Sequence, residues 1–241
     1  MFNFKDTKRS NSASDIYNTA EVLALAFAAH RTNKGYIKNS EIQYPNTDCA
    51  ETIVKRYANK EIVKFQITGK FVPQGYIHVP VKDCDRENAE KAVAHFHKYA
   101  FGILGGTLND FQKNILDIIF NEKVGKYDLG LLAYVPEMIA RDAKQDTLED
   151  TLETVYANSQ HIGNVKDKWA GKITILNSFF SNNYQCWIYS AGTDGNLVSF
   201  FNKKELEVGK TYDVTARIKF HGQNRIKNHF KETTINYVKF V

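Results

Sequence analysis

His95 and His97 stand two residues apart. At that spacing two imidazoles share a face on a strand and could ligate one metal ion. On a helix they diverge by about 200° and cannot. The run around them, DRENAEKAVAHFHKYAFGIL, reads as helix. In the strand alternative no nearby Asp, Glu or Cys completes a ligand set, so no metal is expected. The glycines of Gly102–Gly106 (GILGG) are not followed by the Gly-Lys-Ser/Thr that a phosphate loop requires. The carboxylates of TLEDTLE are better explained by a solvated helix face. Neither GxSxG nor CxxC occurs. No catalytic residue and no cofactor is expected.

Chemistry of another kind is written in Tyr189–Phe201, YSAGTDGNLVSFF. A tight-turn signature, Thr193 to Asn196, separates two aromatic-rich runs with few charges. A ring left open on a strand can stack on a nucleic-acid base, worth ~1–3 kcal/mol per base. Strict alternation puts Gln185, Trp187 and Tyr189 on one face, and the more core-like Tyr184, Cys186 and Ile188 on the other. Phe200 and Phe201 must point opposite ways. The expected stacking rings are Trp187, Tyr189 and Phe200. Lys203 and Lys204 follow the second run. Lys219, Arg225 and Lys227, with His221, flank the polar turn HGQNR. These cations are expected to neutralise phosphates.

The elements that must position these groups divide the chain in two. Ser14 caps an expected helix over Asp15–His30, and Asp48–Asn59 reads as a second. Glu61–Val81, rich in β-branched and aromatic residues and broken by Gly69 and Pro73, reads as a hairpin of two strands. Helical patterns resume at Asp85, at Thr107 or Asn109, and at Tyr127, the last interrupted by Pro136. Thr147–Ala157 is a short acidic helix or linker, and Asn158–Asn164 (NSQHIGN) a boundary. Five strands follow in about 80 residues, the size and number of an OB barrel. The expected fold class is α+β. Residues 1–159 form a mainly helical domain with a small β-hairpin, and residues 160–241 a five-stranded OB-like β-barrel.

Charge follows the same division. The net charge is +5, yet His161–Val241 carries 12 Lys+Arg against 6 Asp+Glu. A basic domain beside a near-neutral one suits a polyanionic partner. No uninterrupted apolar run approaches the ~18 residues of a membrane span. The first residues lack a signal-peptide pattern. Cys49, Cys84 and Cys186 are odd in number and far apart, which reads as free thiols in a reducing cytoplasm.

The order GKITIL, YQCWIYSAGTDGNLVSFF, LEVGKTYDVTARIKFHG, KETTINYV resembles the OB-fold single-stranded nucleic-acid-binding proteins of phage type. Asp194-Gly195-Asn196, Phe200-Phe201, Leu206, Gly209-Lys210, Tyr212, Ala216, Ile218-Lys219, His221-Gly222 and Thr233-Thr234 carry the resemblance. It covers about the last 80 residues. It implies single-stranded DNA binding in replication or recombination, in the host cytoplasm if the gene is a phage's. The partners it implies are single-stranded DNA, replication or recombination proteins, and a second copy of the chain. Two alternatives stay open. One is an OB accessory subunit that binds RNA or protein. The other is a nucleic-acid enzyme whose chemistry lies in residues 1–159.

Overall fold

A computed structural model describes residues 15–43, 54–104 and 110–241. Cys49, Ser14, Thr107, Asn109 and the sequence from Asp48 to residue 53 lie outside the described residues. The chain divides into two compact units, Met1–Arg141 and Asp142–Val241.

In the first unit α1 (Thr19–Asn33) is the central element. Its alanines and leucines let neighbours approach closely, and Val22 to Ala26, Ala28 and Ala29 are all buried. Asn18 caps it by accepting from the Glu21 N–H at 3.1 Å. α3 (Asp83–Leu104), α4 (Asp110–Ile119) and α5 (Leu129–Leu132) supply further buried apolar side chains. Two short antiparallel pairs complete the unit. β1 (Ile16–Asn18) pairs with β4 (Lys123–Gly125), and β2 (Glu41–Gln43) with β3 (Val54–Arg56). On α3, Asp85 is held by a two-pronged bond from Arg31, at 3.0 and 2.8 Å. Burial pushes the Asp85 carboxyl up, but the Arg31 bonds and the Lys82 backbone N–H outweigh it and hold it below its ordinary value.

Two expectations are corrected here. Val54–Arg56 is a strand, not the end of a helix. The hairpin expected over Glu61–Val81 is instead helix α2 (Asn59–Thr68) followed by an irregular segment. Ile62 and Val63 bury on one side of α2, and Gly69 ends it in the left-handed conformation at φ 64°. Tertiary burial overrode the β-branched composition. The Gln66 amide then does what a neighbouring strand would have done. It donates to the Val79 carbonyl at 3.0 Å and accepts from the Val79 N–H at 2.6 Å.

α6 (Val135–Val155) runs through Pro136, which sits in the first turn, where a missing N–H costs nothing. The acidic TLEDTLE run is the last part of this helix. The division between the two units falls inside α6. Leu152 is fully buried and forms a small core with Tyr156, Leu197 and Phe230 in the second unit.

The second unit is a closed barrel in the order β5-β6-β7-β9-β8. β5 (Lys168–Ser181) is long enough to pair with β8 (Thr211–Gln223) over its first half and with β6 (Cys186–Thr193) over its second. β7 (Asn196–Asn202) and β9 (Lys231–Phe240) are parallel neighbours. This five-stranded closed barrel is OB-like. Its interior holds Ile173, Ile175, Tyr189, Ala191, Val198, Phe200, Val214, Ile218 and Ile235. Asp194 and Gly195 both have positive φ, 46° and 75°. A two-residue hairpin turn of the primed type needs both. The stretch before β5 is tied down. Ser159 Oγ donates to the Lys231 carbonyl at 2.7 Å and accepts from the Leu197 N–H at 2.9 Å.

Candidate nucleic-acid interface

Cross-strand partners share a face, so the register sorts the barrel's side chains into rows. One outer row runs Phe179–Ile188–Phe201. The next runs Asn177–Ser190–Ser199–Thr234–Phe220. A third contains Gly192–Leu197–Glu232–Gly222. Leu197 is buried with Leu152 and Tyr156, so the end of α6 and the residue after it cover the Gly192–Leu197 part of this row. A Cβ on Gly192 would lie 1.8 Å from the Tyr156 hydroxyl.

The first two rows are open. They line a groove of about 480 Å³ together with Arg225, Glu232 and Gln145. Phe179, Phe201 and Phe220 are 66, 46 and 60 % exposed. Between the rings lie hydroxyls. Ser199 Oγ and Thr234 Oγ1 are 3.2 Å apart and Ser190 is their neighbour in the row. Tyr184, in the β5–β6 turn, is exposed and meets Phe201 edge-on with centroids 6.4 Å apart.

Phe179 and Phe220 reach this face because β5 and β8 bulge ahead of them. Ile175 and Asn177 oppose the consecutive residues Ala191 and Ser190, so Leu176 is one residue too many. Ile218 and Phe220 oppose the consecutive Ile235 and Thr234, so Lys219 is the extra residue there. A bulge shifts the alternation by one. Ile173 and Ile175 point in, yet Phe179 points out. Val214 and Ile218 point in, yet Phe220 points out.

The expected stacking residues lie elsewhere. Tyr189 and Phe200 are 0 % exposed and stack on each other in the core at 5.1 Å. Tyr189 is satisfied there. Its hydroxyl donates to the Lys204 carbonyl at 3.0 Å and accepts from the Leu206 N–H at 2.8 Å. Burial raises its pKa. Trp187 is half-buried against the same core, edge-on to Phe180 at 5.2 Å. The predicted facing of β6 is therefore corrected. Tyr189 lies inside with Trp187 packed against the core, and Ile188 lines the groove. Hydrophobicity could not decide this parity, because both faces of β6 carry large apolar groups.

Of the cations, Lys203, Lys204, Lys219 and Arg225 are exposed. Arg225 lines the groove, Lys219 is the bulge beside Phe220, and Lys203 and Lys204 follow Phe201 in sequence. Lys227 is corrected. Its ammonium is bound by Glu149 at 2.9 Å and Glu153 at 2.7 Å on α6. Those two carboxylates, Glu153 first, raise its pKa. It holds the helix rather than the groove. His221 stacks on His161 with centroids 4.5 Å apart.

Sequence reasoning missed Phe179, Phe220 and Ile188. The one available signal was the surplus of phenylalanines in Phe179-Phe180 and Phe200-Phe201, more than one barrel interior accepts. His95 and His97 lie on α3, where helical geometry separates them. Among the described residues no cluster of three or more His, Cys, Asp or Glu is placed to hold a metal ion. No described helix is long and apolar enough to cross a membrane. No family model, curated protein or solved structure matches this chain.

Proposed function

We propose that the barrel binds single-stranded DNA without catalysing a reaction, in replication or recombination. The observation that carries this reading is the open face on which Phe179, Phe201 and Phe220 stand beside hydroxyls and cations. A single strand offers bases with two free faces and phosphates at regular intervals. Rings stack on any base, hydroxyls meet base edges and lysines follow the backbone. A duplex hides those base faces, so it should bind more weakly.

The test is fluorescence anisotropy with labelled oligo(dT), set against oligo(U) and duplex DNA. Phe201→Ala or Phe220→Ala should weaken oligo(dT) binding by about 1–3 kcal/mol each. Neither ring belongs to the buried core of the barrel, so the melting temperature should stay nearly constant. Variants that bind as well as the parent protein would remove the groove from consideration. Oligo(U) outcompeting oligo(dT) would make RNA the ligand.

Salt supplies a second, independent measurement. Four exposed cations, each meeting one phosphate, predict a log–log slope of about −3, from ~0.7 per contact on a single strand. Lys204→Ala should lower that slope by about 0.7. Lys227→Ala should leave it unchanged, because Lys227 is already neutralised by Glu149 and Glu153. A flat salt response would reject phosphate contacts altogether.

A further inference from the structure

The first unit contains a pocket that the barrel reading does not use. It has a volume of about 670 Å³, within the range of small-ligand sites. One wall is a face of α2. Lys60 and Lys64 are one turn apart there, with Phe65 beside them. Asp15, also on the lining, is buried and bridged by Lys126 at 2.8 Å and Lys70 at 3.3 Å. Asp15 is thus neutralised twice over. The Glu61 carboxylate is engaged by the Ser40 hydroxyl. Among the described residues Lys60 and Lys64 have no ion-pair partner, and they leave the pocket with a surplus of positive charge.

Two further rings line the pocket. Tyr127 is 48 % exposed, with the Lys126 ammonium 5.2 Å from its ring centre. Phe71 is 93 % exposed and sits at φ 57°. A large L-residue holds the left-handed conformation only at a cost, and such costs concentrate where a ligand is gripped. Folding alone gains nothing from keeping this ring in water.

Aromatic walls with two spare ammonium groups match a ligand that is flat and apolar at one end and multiply anionic at the other. We infer that this pocket binds a nucleoside phosphate, its base against Phe71 and Tyr127 and its phosphates on Lys60 and Lys64. The inference does not depend on the barrel groove. The same chemistry is offered by a free nucleotide and by the phosphorylated end of a strand.

The test uses the full chain and isothermal titration with adenosine, AMP and ATP. A free-nucleotide site predicts that affinity rises in that order. Phe71→Ala and Lys64→Ala should each weaken ATP at least tenfold. Neither side chain supports the fold, since one is almost wholly exposed and the other lies on an outer helix face. A strand-end site predicts instead that 5′-phosphorylated oligo(dT) binds tighter than its 5′-hydroxyl form, and that the same two variants erase the difference. Phe201→Ala, in the barrel, should leave ATP affinity unchanged; it should weaken both oligonucleotides alike and so preserve the 5′-phosphate preference. Three outcomes overturn the inference: no response to ATP or to the 5′-phosphate, a response the pocket variants leave intact, or a response that Phe201→Ala abolishes.

Discussion

Phe200→Ala is expected to destabilise the barrel by about 3–5 kcal/mol, the range for removing a fully buried ring. Phe200 has no exposed surface and lies 5.1 Å from Tyr189, so truncation leaves a cavity that the closed barrel cannot collapse into. Urea unfolding should show a lower midpoint with little change in slope. Tyr189→Phe keeps the ring but strands the Leu206 N–H, and should cost about 1–3 kcal/mol. Phe201→Ala, one residue along, is the control. It should unfold like the parent protein. Equal destabilisation by the two alanine variants would mean that the inner and outer faces of β7 have been assigned wrongly.

Truncation should have an effect as large. A fragment beginning at Asp142 is expected to fold. One beginning at Gln160 should lose about 3–6 kcal/mol, from ~1.5–3 kcal/mol for each large apolar side chain taken from the core. The shorter fragment lacks Leu152 and Tyr156, which cover Leu197 and Phe230. It also lacks Ser159, whose hydroxyl joins the β7 and β9 backbones, and both acidic partners of Lys227. Circular dichroism melts of the two fragments decide this. Identical melts would show that the end of α6 is a passive neighbour of the barrel.

The strands of the barrel were legible because each signal is local. Alternating apolar residues mark β5 to β9, and Asp194-Gly195 fixes the tightest turn. Which face of each strand looks inward was not legible. On β5 and β8 parity depends on Leu176 and Lys219, whose role as extra residues exists only in relation to β6 and β9; on β6 both faces carry large apolar groups. The same limit applies to Lys227. Its position in a basic turn is local, but its carboxylate partners lie more than seventy residues upstream. Glu61–Val81 failed for a different reason. Its β-forming residues are those that a buried helix face also accepts, and Gln66 meets the needs of Val79 from outside any sheet.

The bulges at Leu176 and Lys219 also govern which changes of chain length this barrel can absorb. Removing Leu176 or Lys219 would leave the flanking cross-strand partnerships in place and merely straighten the strand. β7 keeps an unbroken register against β6 from Asn196 to Asn202. Losing a single residue there, such as Ser199, would exchange inside for outside on one side of the cut. Deletions along the gene should therefore be tolerated at isolated codons within strands, not only in loops, and those codons mark where the open face was made.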